Sequence, residues 1–266
     1  MNQPLQVERR GAATWLTLNR PEAGNTINAA LAEALGAAVT DCASDPSVRV
    51  VVMTGAGALF CGGGDIRAFT AGASPAEAIN AITSRLHPAI EAFAALPKPI
   101  VTLVNGPAAG AGLGLALLGD IVLAARSAHF TSAYTAIGLT PDGGTSWLLP
   151  RLIGLRRAEE MVLTNRRVGA EEAERIGLIT RAVDDDQLAQ AGAEMAELLS
   201  ASAVAALGKA RHLLSTSLAR SLADHLALEA QTIAASAATP EGREGVASFL
   251  EKRKPKYHPA IGEPEA

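Results

Sequence analysis

Alternating apolar and polar runs predict a mixed α/β fold over the first two thirds of the chain. The segment TWLTLNR has the two-residue period of a half-buried strand. VRVVVMTG and KPIVTLVNG are continuous apolar runs, which are typical of strands covered on both faces. Ala-rich segments such as NAALAEALGAAVTDCASD predict the intervening helices. Strand, small-residue loop and helix then repeat, as in α/β proteins.

Local signals define further elements. Ser74, Pro75 and Glu77 form a capping sequence ahead of a helix that should extend to Leu96, with Pro88 kinking or restarting it. AGLGLALLGD predicts a short apolar helix, and IVLAARSAHF predicts a pair of strands. The sequence Thr239-Pro240-Glu241 marks the start of a last helix.

The pattern changes near residue 195, where strand signals disappear. Leucines at positions 214, 218, 222 and 226 form a stripe at helical spacing. Such a stripe packs either on another subunit or on its own domain, and periodicity does not distinguish the two. We therefore expect a core over residues 1–195 and a helical region over residues 196–266.

Composition narrows the class of protein. The 266 residues are 48% hydrophobic, which predicts a well-buried core, and the net charge of −4 argues against a nucleic-acid or membrane-surface binder. The histidines lack metal-ligand spacing, so no metal is expected. The N-terminus lacks the apolar core of a signal peptide, and no apolar run approaches the roughly 18 residues of a spanning helix. These features favour a cytoplasmic protein with free Cys42 and Cys61 thiols.

Two of the predicted buried strands run into small-residue turns, AGALFCGGGDIRAF and PAAGAGLGLALL. Free backbone amides at such turns bind negative charge, and small side chains let a ligand approach closely. Neither turn matches a dinucleotide or P-loop motif, and G-x-S-x-G is absent from the sequence. One interpretation is an oxyanion hole for a thioester intermediate. The alternative is that the small residues only permit close packing.

A third stretch, LTPDGGTSWLLP, contains Asp142 within a predicted turn. On local sequence alone, turn formation explains this aspartate best. The alternative is that Asp142 is the carboxylate that performs chemistry.

These stretches, together with LNRPEAGNTIN, GDIVLAARSAHF and RRVGAEEAERIGLITRAVDDD, resemble the crotonase, or enoyl-CoA hydratase/isomerase, superfamily over nearly the whole chain. Within the superfamily, these stretches are most similar in sequence to the epoxyphenylacetyl-CoA isomerases of the phenylacetate pathway. The resemblance implies an α/β, crotonase-like spiral of ββα repeats followed by a C-terminal helical trimerisation region. It also implies homotrimers or hexamers, and an acyl-CoA substrate that brings coenzyme A with it, without a separate cofactor.

The same resemblance assigns candidate site residues. The amides of Gly64 and Ala111 would form the oxyanion hole, and Phe249 and Lys252 would close over the coenzyme A moiety, from the same or a neighbouring subunit. The remaining residues expected along coenzyme A are Glu22, Ala23, Gly24, Asp65, Ile66 and Arg67.

The catalytic acids discriminate between activities. Hydratases of the superfamily use two glutamates, and the corresponding positions here are Gly114 and Tyr134. Hydration is therefore not expected, whatever a generic family name suggests. Isomerases with a G-x-x-P-[DE] pattern place their acid/base where Asp142 stands. The resemblance thus implies a shift of a double bond from C3–C4 to C2–C3.

Two alternatives stay open. Aryl-CoA dehalogenases use an aspartate at this position as a nucleophile beside a tryptophan and a histidine, and this sequence has Tyr134 and His87 there. His87 would then orient water or substrate, or simply lie on a helix surface. Tyr134 would donate to Asp142 or substrate, or form a pocket wall. The second alternative is a non-catalytic acyl-CoA binder.

Overall fold

Parallel strands form the centre of the main sheet. The structure, a computed structural model, describes residues 3–67 and 74–257. The main sheet has the order β1–β2–β3–β4–β6–β9, in which only the β1–β2 pair is antiparallel. Its strands are β1 (Leu5–Arg10), β2 (Ala13–Leu18), β3 (Val50–Gly55), β4 (Ile100–Val104), β6 (Ile121–Ala125) and β9 (Arg181–Val183).

A smaller sheet lies beyond the ends of the main strands. It consists of β5 (Ala108–Ala109), β7 (His129–Thr131) and β8 (Val168–Gly169). β5 pairs with β7 in parallel, and an isolated bridge joins Cys61 to Ala108. β4 and β6 are each followed by a short strand, β5 or β7, and then by a helix, which confirms the predicted ββα repeat.

The helices alternate with these strands and then continue without them. The bounds are α1 (Ala29–Ser44), α2 (Pro75–Ala95), α3 (Ala111–Ala116), α4 (Thr145–Ile153), α5 (Leu155–Thr164), α6 (Ala170–Arg175), α7 (Leu188–Ser200), α8 (Val204–Thr216), α9 (Leu222–Ala237) and α10 (Pro240–Leu250). α1 packs against α2, and α7 packs on β3, β4 and β6. These contacts cover the apolar strands, as parallel sheets require.

Capping residues explain where several helices begin. The Ser74 hydroxyl accepts a hydrogen bond from the Glu77 amide at 3.2 Å, and Thr239 does the same for the Gly242 amide at 3.0 Å. Both predicted helix starts are confirmed. α2 continues through Pro88 to Ala95, so this proline does not restart the helix.

Two sequence expectations about exposure and continuity are wrong. β2 was expected to be half-buried, yet most of its side chains are buried, because β1 and β3 flank it and α1 and α7 pack on it. The leucine stripe does not follow one helix. The chain leaves α-helical geometry between Thr216 and Leu222, and Ser221 caps α9 by accepting from the Asp224 amide at 3.2 Å.

Two kinds of feature are absent from the described part of the chain. Across residues 3–67 and 74–257, no helix is both long and apolar enough to cross a membrane. The same residues contain no group of three His, Cys, Asp or Glu side chains placed to hold a metal ion.

Candidate active site

A cavity of about 430 Å³ lies where the two small-residue turns, α2 and the loop around Asp142 meet. It brings together Gly64, Ala111, Tyr134 and Asp142, which the sequence predicted as site residues. The rest of its wall is mainly aliphatic and comprises Ile27, Ile66, Ile79, Ile82, Leu86, Ile137 and Leu139. Polar and backbone groups are therefore concentrated at one end of an apolar chamber.

In the first turn, the Gly64 amide points away from the neighbouring segment that contains Ile27. The Gly63 carbonyl accepts a hydrogen bond from the Ile27 amide at 2.7 Å. C=O and N–H of one trans peptide point in opposite directions, so the Gly64 N–H points away from Ile27. On that other side lies the second turn, since the Cys61 amide donates to the Pro107 carbonyl at 3.2 Å and the Ala109 amide donates to the Cys61 carbonyl at 2.9 Å. The Gly64 amide thus faces the second turn.

The second turn presents the Ala111 amide by the same rule. Gly110, with φ of 54° and ψ of −130°, precedes Ala111, the first residue of α3. The Gly110 carbonyl accepts hydrogen bonds from Leu113 and Gly114, so the amide of the same peptide points out of the helix. First-turn amides have no partner inside their own helix. The Ala111 N–H is therefore available to a ligand in the cavity.

Asp142 uses its backbone and its side chain for different purposes. Its carbonyl accepts from the Thr145 amide at 3.0 Å, which closes the turn ahead of α4. Its carboxylate instead receives the Tyr134 hydroxyl on Oδ1 at 2.6 Å, and Oδ2 lies 3.6 Å from Nε2 of His87. Asp142 can therefore both form the turn and act chemically, because the turn uses its main-chain carbonyl and not its carboxylate.

Tyr134 is a neutral donor in this arrangement. Burial, followed by the negative charge of Asp142, raises the pKa of the Tyr134 phenol well above its usual value. A raised pKa keeps the proton on the hydroxyl throughout the neutral range. Tyr134 can therefore hold the Asp142 carboxylate in place without exchanging charge with it.

Gly114 is enclosed rather than open. A Cβ added there would clash with the backbone carbonyl of Gly143 in the loop that carries Asp142. Gly143 and Gly144 adopt φ values of 58° and 79°, which favour glycine, and this lets the loop approach α3 closely. The space that a glutamate at position 114 would need is thus filled by this loop.

The residues predicted along coenzyme A fall into two groups. Glu22, Ala23 and Gly24 lie beside the first turn, because the Gly24 carbonyl accepts from the Gly62 amide at 2.9 Å. The other group near that turn is Asp65, Ile66 and Arg67. Asp65 forms a largely buried ion pair with Arg20 at 2.8 Å, and Ile66 lines the cavity.

Phe249 and Lys252 do not line this cavity within a single chain. Phe249 is 82% exposed near the end of α10, and Lys252 follows just after it with φ of 54°. Their predicted closure over coenzyme A, from the same or a neighbouring subunit, stays a prediction.

Sequence reasoning did not identify Asn25 as a residue that supports the site. Its buried side chain accepts from the Arg20 amide and donates to the carbonyls of Ala56 and Leu59, each within 2.9 Å. It therefore fixes the loop that leads into the first turn. The pair Gly24-Asn25, both with positive φ, signals a turn but not these distant partners.

A larger cavity of about 790 Å³ lies between the end of α2 and helices α8 and α9. It contains none of the predicted site residues. Its two arginines, Arg49 and Arg211, are bonded to main-chain carbonyls and to carboxylates, which suits a structural joint. The smaller cavity is therefore the candidate active site.

Comparison with known proteins connects the chain to one family. Residues 8–260 match the family described as enoyl-CoA hydratase/isomerase. A probable enoyl-CoA hydratase of Rhodobacter capsulatus is 40% identical, covering 91% of this chain and 93% of its own. The 1,2-epoxyphenylacetyl-CoA isomerase of Escherichia coli K12 is 38% identical with the same coverage, 91% and 93%.

Solved structures show the same extent of similarity. An enoyl-CoA hydratase from Polaromonas sp. JS666 superposes with a TM-score of 0.90 at 33% identity, covering 96% of this chain and 99% of its own. An enoyl-CoA hydratase from Mycobacterium smegmatis gives 0.91 at 32% identity, covering 97% and 100%. The similarity therefore includes both the sheets and the helices that follow them.

Proposed function

Because the chain belongs to the enoyl-CoA hydratase/isomerase family and has the crotonase fold, we propose that it shifts a double bond of an enoyl-CoA thioester from C3–C4 to C2–C3. That it processes acyl-CoA follows from its family. The specific reaction rests on one observation. Asp142 lies in a cavity that it shares with Gly64 and Ala111, whereas Gly114 and Tyr134 stand where hydratases of the superfamily have glutamates.

In this mechanism the two amides bind the thioester oxygen. Asp142 removes a proton from C2, and the electron pair moves onto that oxygen to form an enolate. The amides of Gly64 and Ala111 stabilise the negative charge, and loss of one such donor typically costs about 2.7–4 kcal/mol of transition-state stabilisation. Asp142 then delivers a proton to C4, and the double bond ends at C2–C3.

The hydrogen bond from Tyr134 makes the two carboxylate oxygens of Asp142 different. Its hydroxyl donates to Oδ1 of Asp142 at 2.6 Å, so that oxygen already accepts a hydrogen bond. Oδ2 has no such donor within the described residues and is the oxygen that takes the substrate proton. One carboxylate that is held from one side can serve both C2 and C4.

Hydration needs an acid and a base on the attacking water. The loop carrying Gly143 fills the space beside Gly114, and Tyr134 is a neutral phenol. Several relatives are named hydratases, but these two features favour isomerisation for this chain.

The cavity wall favours an apolar acyl group. Most of the side chains that line it are Ile, Leu or Ala, and the Thr83 hydroxyl is already bonded to the Ile79 carbonyl at 3.0 Å. A polar substituent packed against the Ile and Leu side chains would therefore lose hydrogen bonds to water without replacement.

The dehalogenase-like alternative has one observation in its favour. Asp142 lies between Tyr134 and His87, as an attacking carboxylate with a water-orienting histidine would require. The donor on Oδ1, however, stabilises the charge that a nucleophile must share. Among the described residues that form the cavity wall, Tyr134 is the only aromatic side chain available to stack on an aryl ring. No feature of the described structure favours the non-catalytic binder.

We also propose that copies of the chain associate through the C-terminal helices. Leu214 and Leu218 are each 76% exposed, and Leu222, Leu226 and Phe249 are also exposed. Apolar surface of this extent marks an interaction site. A homotrimer or hexamer would bury it and would bring Phe249 and Lys252 within reach of a neighbour's coenzyme A. The acyl-CoA substrate and further copies of the chain are the partners we propose, without nucleic acid or membrane.

A cytoplasmic location agrees with the two cysteines. Cys42 and Cys61 are both free and buried, and burial raises the pKa of each thiol, to about 12 for Cys61. They are therefore structural rather than reactive thiols.

A panel of thioesters tests the proposed reaction. The purified enzyme is incubated with a 3-enoyl-CoA, the matching 2-enoyl-CoA and a 4-halobenzoyl-CoA, and products are followed by mass spectrometry and halide release. We expect isomerisation of the 3-enoyl-CoA and slow or absent hydration. Halide release would support the dehalogenase alternative. Binding of all three without turnover would support the non-catalytic binder.

A further inference from the structure

His87 lies outside the apolar chamber but beside the carboxylate that would carry the proton. Its Nε2 is 3.6 Å from Oδ2 of Asp142, the oxygen opposite the one held by Tyr134. The Asp142 side chain is 30% exposed and that of His87 is 46% exposed. A path of titratable groups therefore leads from the cavity to bulk water.

The two neighbours of Asp142 differ in what they can do. Tyr134 is largely buried and holds its proton, so it fixes Oδ1 without passing a proton on. His87 is an exposed imidazole, whose Nε2 can accept a proton from Asp142 and exchange it with bulk water. The 3.6 Å gap exceeds a hydrogen bond, so transfer needs a small side-chain rotation or a water that bonds both atoms.

We propose that His87 exchanges the catalytic proton of Asp142 with solvent during turnover. The inference rests on the isomerisation proposed above and specifies how its proton moves. Asp142 takes a proton from C2 and passes it from Oδ2 to Nε2 of His87, where bulk water replaces it with a solvent proton. That solvent proton passes from Nε2 back to Oδ2 of Asp142 and is delivered to C4. No proton or electron is gained or lost over the cycle.

The placement of His87 in the fold supports this role. It lies on α2 directly after Leu86, which is buried in the cavity wall, so one turn of the helix contributes both a wall and a titratable group. The helix is anchored there by buried Leu86 and Ala89. Replacement of the exposed imidazole should leave the cavity wall unchanged.

Solvent deuterium reports this step directly. An unlabelled 3-enoyl-CoA is converted in D₂O to low conversion, and deuterium at C4 of the product is quantified by mass spectrometry and NMR. We expect the unaltered enzyme to place solvent deuterium at C4 in most product molecules. In His87→Gln and His87→Asn, the ratio of deuterium to retained substrate proton should fall at least about tenfold, while turnover falls less. His212→Gln, an exposed histidine on α8, is the matched control and should behave as the unaltered enzyme.

The outcomes separate the relay from the proposed function. Isomerisation by the unaltered enzyme with retention of the substrate's own proton would overturn the relay alone. An unchanged label ratio in both His87 variants would also overturn it, because Asp142 would then exchange with water directly. A structural role for His87 would lower turnover without changing the ratio. No isomerisation by the unaltered enzyme would overturn the proposed function and the relay with it.

Discussion

The region formed by the two sheets and helices α1–α7 differs from the C-terminal helices α8–α10 in how far its apolar side chains are buried. In the first region, Leu16, Phe93 and Phe130 are fully buried. In the second, Leu214, Leu218 and Leu250 are each about three quarters exposed. Complete burial of one such side chain is worth about 1.5–3 kcal/mol. One chain suffices to build the cavity, whereas the C-terminal helices expose the apolar face that we propose a second copy covers.

The joint between the two regions is largely polar. Arg211 on α8 donates to the carbonyls of Phe93, Ala94 and Leu96 and forms an ion pair with Asp120 at 2.6 Å. Arg49 similarly donates to the carbonyls of Ser200 and Ser202, and bonds Glu241. Directional bonds of this kind fix the angle of the C-terminal helices, which apolar contacts alone would leave adjustable.

Gly114→Glu should produce the largest effect, because it adds a side chain where the structure leaves no free space. The added Cβ meets the Gly143 carbonyl, so the loop carrying Asp142 must move. We expect the free energy of unfolding to fall by about 3 kcal/mol, isomerisation to be lost and no hydratase activity to appear. Denaturant unfolding and both activity assays measure this. Gly169→Glu, which points into open space, is the control. Hydration by Gly114→Glu would contradict the packing argument.

Arg211→Ala should have the next largest effect, because it removes several polar contacts of the joint. Loss of its bonds to Asp120 and to main-chain carbonyls should lower the free energy of unfolding by about 2 kcal/mol. Arg156→Ala, at an arginine that is almost fully exposed, should change it by less than about 0.5 kcal/mol. Equal effects of the two substitutions in denaturant titrations would mean that the joint is not polar.

Tyr134→Phe sharpens the comparison within the site. Removal of one hydroxyl should cost about 1 kcal/mol of stability and slow isomerisation about tenfold, because Asp142 loses the donor that holds Oδ1. Tyr257→Phe, in the C-terminal region, should change neither quantity. Steady-state kinetics and thermal unfolding provide the test, and full activity of Tyr134→Phe would show that Oδ1 needs no fixed donor.

Leu218→Ser should have the smallest effect on the unfolding of a single chain, within about 0.5 kcal/mol, because its side chain is exposed there. It should nevertheless shift the assembly toward monomers in size-exclusion chromatography with light scattering. Leu163→Ser, at an equally exposed leucine on α5, should leave the assembly intact. Dissociation by Leu163→Ser but not by Leu218→Ser would reverse our assignment of the interface.

The sequence predicts best what local patterns determine. Strands β3 and β4 follow from apolar runs, and the starts of α2 and α10 follow from Ser74 and Thr239 as capping residues. Only Leu5 is buried in β1, so its sequence carries little apolar signal and the strand was not predicted. The break near Ser217 was missed because the leucine spacing continues across it.

The sequence likewise predicts only part of the candidate site. The residue types at Gly64, Ala111 and Asp142 are visible as motifs, and the cavity brings these residues together. Nothing local shows that Gly143 fills the space beside Gly114, or that Arg20 pairs with Asp65, because these contacts join residues distant in sequence. Packing of this kind is a property of the whole fold.

Asp142→Asn tests the central claim most directly, with turnover and acyl-CoA affinity measured on the same preparation. Asparagine keeps the size of the side chain and can still accept the Tyr134 hydroxyl, but it cannot take a proton. The account predicts that isomerisation of a 3-enoyl-CoA falls by about a thousandfold, while the dissociation constant of the product thioester changes less than about threefold. A variant that retains most of its turnover would contradict the assignment of Asp142 as the acid/base.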